Sequence, residues 1–321
     1  MAIATNTTTN YDVTGNREDL SDMVWTLDDF ETPVLSAIKK TKAKSVTHEY
    51  QTDAIGAAAS NKKLEGDDNG DATDLVATTR LANTCQIMGY KPQVSGTQEK
   101  GMDHAGVRSE MAYQEAKYMK KIKKDMERAI LDGDAGLAVG NAKVAGNTTT
   151  AREMASLNTY LTTNVSVGAT GAAATGDGTD VMTTGTDRDI TEALLTAVLA
   201  TTWTAGGDPS MLVVSATNKG VVSSFAGGST RYVDTNTKEL VHSIDVYVGD
   251  FHTLKVVPSR QLVGDNAYTI DPEYLALAEL RSLHSYDLAK TGDNFKREMV
   301  WEATLEVCNE AAHGIIADTN G

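Results

Sequence analysis

With two cysteines and five prolines in 321 residues, this chain has few covalent staples and few backbone breakers. Cys85 and Cys308 are far apart and fit no metal or redox spacing, so neither a disulfide framework nor a cysteine-held metal is supported. Both lie in strand-like apolar runs, where free buried thiols are expected. The six histidines (48, 104, 242, 252, 284 and 313) never pair at metal-ligand spacing. Serine and cysteine nucleophile motifs are missing, as is a phosphate-cradling glycine loop ending in Lys-Ser or Lys-Thr. These absences leave enzymatic, cofactor and metal readings without support. No apolar run is long enough to span a bilayer. The Thr- and Asn-rich start, Met1 to Val13, has neither the basic start nor the apolar stretch of a signal peptide. A cytoplasmic site of synthesis and assembly, with no membrane partner, is the expectation.

Positive charge is also short. Lys and Arg number 29 against 44 Asp and Glu, a net charge of −15. Sequence-independent DNA binding rests on neutralising phosphates, so this balance argues against it. An acidic balance suits a subunit whose surfaces must not stick to polyanions. Aromatic content is only 6%, but hydrophobic content of 40% is ordinary and allows a sizeable core, as one large domain or two modest ones.

The most telling stretch runs from Val46 to Leu131. Val46, His48 and Tyr50 alternate with more polar residues up to Asp53, which predicts a strand. A second strand is predicted from Leu81 to Tyr90, with Leu81, Cys85 and Ile87 on one face. Between them lies a Gly- and Asp-rich tip. A two-stranded ribbon of this length is marginal in water unless something covers it, and no covering segment follows, so a second copy of the chain is expected there. Behind the ribbon the spacing predicts one long helix, capped by Asp103, ended by Gly133 and about 28 residues long. Met111, Met119, Ile122, Met126, Ala129 and Ile130 form its apolar stripe. Lys117, Lys121, Lys124 and Arg128 form a basic one, tempered by Asp125 and Glu127. That basic stripe reads as a solvated face with local ion pairs; a nucleic-acid face or a contact between subunits are the alternatives.

Elsewhere, residues 1 to about 45 read as an extended arm. It carries an apolar cluster at Met23, Val24, Trp25 and Leu27 and a short helix begun by Thr32-Pro33. Residues 133–185 read as a long surface excursion interrupted by a helix from Ala151 to Leu161. An α/β section follows. It has a helix with Ile190, Leu194, Ala197 and Val198, a buried strand from Met211, a helix near Lys219 to Phe225, and a hairpin about Gly249-Asp250. Near the C-terminus Met299, Trp301, Ala303, Leu305 and Val307 alternate with Glu298, Glu302, Thr304 and Glu306, the pattern of a half-buried antiparallel strand. The acidic tip 67–71 imitates a calcium loop. However, Ala72 stands at the turn-glycine position and Thr78 at the bidentate-glutamate position, so a solvated tip is the better reading.

Several phrases in order carry a resemblance. They are Arg17-Glu18-Asp19-Leu20-Ser21-Asp22, Glu31-Thr32-Pro33-Val34-Leu35-Ser36, Glu49-Tyr50-Gln51-Thr52-Asp53, Val94-Ser95-Gly96-Thr97-Gln98-Glu99, Ala151-Arg152-Glu153-Met154, Val246-Tyr247-Val248-Gly249-Asp250-Phe251, Asp271-Pro272-Glu273-Tyr274 and Ala289-Lys290-Thr291-Gly292-Asp293. Together the chain resembles the major capsid proteins of tailed bacteriophages, with the Hong Kong ninety-seven-like or Johnson fold. The resemblance implies an α+β subunit with an arm (1–45), an extended β-ribbon (46–97) and a peripheral domain with spine helix and surface excursion (98–186). An axial α/β domain (187–262) and the return strands of the peripheral domain with the C-terminus (263–321) complete it. It also implies self-assembly as hexamers and pentamers of an icosahedral shell enclosing double-stranded DNA without sequence-specific binding. The implied partners are a portal, a separate scaffolding protein and decoration proteins. Covalent cross-linking is not expected, since no Asn partner is marked for Lys62 or Lys63. Contacts between subunits are expected at Met23, Trp25, Leu27, Lys62, Lys63, Glu65, Asp67, Lys290, Lys296 and Arg297. An encapsulin-type nanocompartment shell is the alternative, and a secreted surface protein a more distant one.

Overall fold

The computed structural model describes residues 6–16, 19–27, 29–56, 58–62, 65–66, 75, 77–133, 140–225, 246–262 and 266–320. Lys63, Asp67 and the acidic tip 67–71 lie outside them, as does His242.

In chain order the first half contains helix α1 (Pro33–Ala37) and strands β1 (Lys39–Lys42), β2 (Thr47–Thr52), β3 (Thr79–Thr84), β4 (Gln86–Tyr90) and β5 (Gln93–Ser95). Helices α2 (Gly96–Lys100) and α3 (Glu110–Leu131) and the short strand β6 (Val165–Ser166) follow. The second half contains α4 (Glu192–Ala205), β7 (Met211–Val214), α5 (Ala216–Ser223), β8 (Val246–Val248), β9 (Thr253–Pro258) and β10 (Ala267–Ile270). The long strands β11 (Leu275–Asp287) and β12 (Asn294–Val307) and then β13 (Gly314–Ile316) complete it. The result is a mixed helix and sheet subunit. One sheet runs β1-β11-β12-β4, with β5 continuing along β12. A second runs β6-β13-β10-β7-β9-β8, and β2 and β3 form a separate ribbon.

The long helix α3 lies against the first sheet. Met111, Ile122, Met126, Ala129 and Ile130 are buried as their spacing predicts, the last four in one core with Met299, Trp301, Ala303 and Leu305 of β12. It is shorter than the periodicity suggests, with 22 residues and therefore about 33 Å of rise. Its cap is Ser109, whose hydroxyl accepts from the Ala112 amide at 3.3 Å, and not Asp103. The reason is local. Gly106 takes φ +75°, turning the chain away from helix, and a Cβ there would lie 2.7 Å from the Asp22 carbonyl of the passing arm. Gly133, at φ +77°, ends the helix as expected.

Further expectations are corrected. The predicted strand from Leu81 to Tyr90 is two strands, because the Cys85 amide bonds Val46 O at 2.7 Å and the chain there leaves the ribbon for the first sheet. The bend changes the phase of alternation, so Cys85 and Met88 face the core and Ile87 faces out. The stretch from Ala151 to Leu161 is extended and holds only a single turn of 3₁₀-helix, Leu157–Thr159. Backbone groups that a helix would need are taken elsewhere: the Ser156 amide donates to Asn141 O at 3.1 Å, and Thr159 Oγ1 donates to Ser156 O. This stretch is no surface excursion, since Met154, Ala155, Leu157, Tyr160 and Leu161 are buried in the main core. On α4 the buried face is Leu195, Val198, Leu199 and Thr202, and Ala197 points to solvent. Strand β12 is covered on both sides. On its acidic face Glu302 is bridged by Arg152 at 2.5 Å and Arg281 at 2.6 Å, so a carboxylate expected in water is buried in a paired state.

Candidate functional site

The surfaces able to do something are those that leave the packed body: the arm, the ribbon and the open end of the β11–β12 hairpin. Each begins at a well-built anchor.

The arm is anchored on α3. Glu127 is fully buried, and its two oxygens accept from the amides of Val34 (3.0 Å) and Leu35 (2.6 Å) in the first turn of α1. Sequence spacing placed Glu127 among the solvated charges of the helix, but it is the arm's latch. Burial pushes its carboxyl up to about 7, opposed by the two amides. Val34, Leu35 and Ile38 are buried beside it. Further out, Lys124 pairs with Asp29 at 2.5 Å, and Lys120 and Lys123 sit 5.7 and 5.8 Å from the Phe30 ring centroid. Part of the basic face of α3 is therefore the track on which the arm lies, and Lys121 stands over Tyr90 at 4.6 Å. Before residue 29 the arm is different. Met23, Trp25 and Leu27 are all exposed, Trp25 at 85% and Leu27 at 100%.

The ribbon shows the same division. At its base Asn83 is completely buried. Its amide nitrogen donates to Leu305 O (2.9 Å) and Ala155 O (3.2 Å), and its oxygen accepts from the Ala155 amide (2.9 Å) and the Thr84 amide (2.8 Å). Tyr160 Oη and Lys143 Nζ both donate to Ala82 O, and His48 Nε2 lies 3.1 Å from Glu306 Oε2. These bonds fasten the base to β12 and to the segment around Ala155. Cys85 is buried there too, and burial raises its thiol to about 11, which leaves it unreactive. Beyond Thr52 the described residues are exposed, among them Ile55, Lys62, Glu65 and Leu75, the last at 94%.

The third surface gathers Lys290, Lys296 and Arg297, with Lys100 and Phe295 that sequence reasoning missed. Arg297 is spent within its own chain, on Glu115 and on Asp287 (2.8 Å). The signal for Lys100 lay only in three dimensions, since α2 and the hairpin are remote in sequence. Among the described residues no three His, Cys, Asp or Glu side chains come together as a metal site. Asp177 and Asp180 instead accept hydrogen bonds from Thr175 and Thr179 of their own turn.

Among the described residues the arrangement is a packed body with exposed apolar extensions. Over 345 aligned residues the chain is 22% identical to the major capsid protein of Escherichia phage Phieco32, covering 97% of each. Solved structures share the fold. The capsid chain of cyanophage A-1(L) superposes with a TM-score of 0.62 at 15% identity, covering 98% of this chain and 100% of that one. A chain of Mycobacterium phage Cain gives 0.61 at 13%, covering 98% and 99%. The capsid of a native GTA particle gives 0.59 at 11%, covering 96% and 95%. The sequence profile of the SU10 major capsid protein matches residues 7–320, and the chain therefore belongs to the SU10 major capsid protein family.

Proposed function

We propose that this major capsid subunit assembles as hexamers and pentamers into an icosahedral head around double-stranded DNA, in the host cytoplasm. In this reading α3 with the first sheet is the peripheral domain, and the second sheet with α4 and α5 is the axial domain near the capsomer centre. The arm before residue 29 and the ribbon beyond Thr52 lie across neighbouring copies. The observation that carries the proposal is that a body with packed cores of its own leaves Trp25, Leu27, Ile55 and Leu75 exposed on two extensions. Apolar groups so placed gain about 25 cal/mol per Å² when covered. Closed symmetry repeats that gain at every copy. The acidic balance suits a lumen that does not bind its DNA. A portal, a separate scaffolding protein and decoration proteins complete the particle. The relatives named above are phage and GTA capsids, which favours this reading over a compartment for cargo enzymes.

The test is assembly of the full chain, followed by sedimentation and negative-stain microscopy, beside a chain lacking residues 1–28. The full chain is expected to form closed shells. The truncated one is expected to keep its circular dichroism and thermal midpoint and yet form no stable shells. Shells of unchanged yield and stability from the truncated chain would show that the arm is not a strap.

A further inference from the structure

We propose that the cleft between the outer edge of β4 and helix α3 binds an extended, acidic segment of another protein, which adds a strand to β4 and sets a carboxylate against Arg128. The site stands whether or not the chain closes into shells, because both of its walls belong to one subunit.

The first wall is a sheet edge. Strand β4 pairs antiparallel with β12, from Gln86 opposite Ala303 to Tyr90 opposite Met299. Among the described residues no second strand pairs with it on the other side, so β4 ends the first sheet. An end strand presents a row of backbone donors and acceptors that a further strand can take up. Ile87 is 49% exposed and Gly89 is exposed as well, so the outward face of β4 is open and offers an apolar contact to an incoming chain.

The opposite wall is α3, which contributes Asp125 and Arg128, and the cleft has a volume of about 330 Å³. Arg128 is the unusual group. Its Nε is buried with no hydrogen-bond partner, and among the described residues no carboxylate lies within salt-bridge distance of its guanidinium. By contrast Arg152, Arg281 and Arg297 each hold a carboxylate of their own chain. Asp125, the carboxylate that lines the cleft, accepts from Tyr90 Oη, and Lys121 Nζ stands 4.6 Å from the ring centroid of that tyrosine. With two cations against one carboxylate, the cleft and its rim carry positive charge in excess. A partly buried guanidinium gains most from an anion, and its planar fork matches a carboxylate with two parallel hydrogen bonds.

The two walls together select the ligand. A free phosphate or a small carboxylate would satisfy Arg128 but leave the edge of β4 unpaired. A helix would bring side chains but no outward backbone groups, and a basic strand would be repelled. An extended segment with an acidic side chain meets both demands, the backbone giving affinity and the carboxylate fixing the register.

The probe is a fluorescein-labelled heptapeptide of alternating valine and threonine with a central glutamate, titrated into the dissociated full-length chain and read by fluorescence anisotropy. Saturable binding is expected, with slower hydrogen exchange across β4 in the complex. Arg128→Gln is expected to weaken binding about tenfold, and glutamine in place of the peptide's glutamate to weaken it by the same factor. The two changes together should cost no more than either alone. Methylating the peptide's backbone amides should abolish binding, since a methylated amide cannot join a ladder. The peptide series on the unaltered chain holds even if Arg128→Gln fails to fold. Absence of saturable binding would overturn the proposal, as would binding indifferent to the glutamate, to Arg128 or to the methylation. So would β4 amides already protected in the assembled parent chain, together with assembly lost in Arg128→Gln, for the cleft would then belong to a second copy. Failure of the chain to form shells is a separate outcome and bears only on the shell reading.

Discussion

The base and the tip of the ribbon belong to the same two-stranded element, but their surroundings are opposite. At the base a polar residue, Asn83, is buried with all its hydrogen-bonding capacity used, and the backbone of Ala82 is held by Tyr160 and Lys143. Toward the tip, apolar Ile55 and Leu75 are in water. The arm repeats the contrast, with α1 latched by Glu127 and Trp25 and Leu27 left exposed a few residues earlier. In both extensions the anchor is buried with its polar atoms satisfied within the subunit, and the apolar side chains further out are exposed. A buried amide without a partner costs more than an exposed side chain, so the anchor must be complete before assembly. An exposed leucine costs a lone subunit little and gains on contact.

That contrast can be broken by substitution. The greatest expected effect is in the body that carries both anchors. Met126→Asp places an uncompensated carboxylate in the core under β12 and is expected to cost about 5 kcal/mol, seen as loss of soluble protein. Soluble particles at normal yield would mean that α3 buries another face. Next is the ribbon's anchor. Asn83→Ala strands the Ala155 amide and Leu305 carbonyl and is expected to cost about 3 kcal/mol in urea unfolding.

The arm's latch adds a pH dependence. The folded-state pKa of Glu127 is raised to about 7 from its ordinary value of 4.5, so the folded subunit holds this proton more tightly than the unfolded chain does. The resulting stability is fully present below 4.5 and is lost as pH rises through about 7. The groups facing the latch region from the arm and from α3 are Asp29, Lys123 and Lys124. Glu127→Gln is expected to flatten the curve of stability against pH across that window, by on the order of 2 kcal/mol between its ends. A variant with the parent's slope would assign the titration to another group. The smallest effect belongs to the free parts: Trp25→Ser and Leu27→Ser should change the stability of a dissociated subunit by less than about 0.5 kcal/mol while weakening its shells. A drop of several kcal/mol in the subunit alone would place those residues in a core and erase the contrast.

The sequence by itself determined what a short window can encode. The three- and four-residue spacing of Ile122, Met126, Ala129 and Ile130 marks α3 and the face it buries, and Gly133 marks its end. Alternation from Met299 to Val307 marks β12, and Gly249-Asp250 marks the hairpin between β8 and β9. The resemblance to capsid proteins pointed to the mixed helix and sheet capsid fold. Only the tertiary structure decided the roles of the polar residues. Asn83 meets Leu305 across 222 residues of sequence, Glu127 meets Val34 across 93, and Lys100 meets Lys290 and Phe295 from another element. The break at Cys85 and the loss of the helix expected before Leu161 have the same origin. Apolar periodicity reports a residue's relation to its own helix or strand, whereas a hydrogen bond or an ion pair depends on which distant segment arrives beside it.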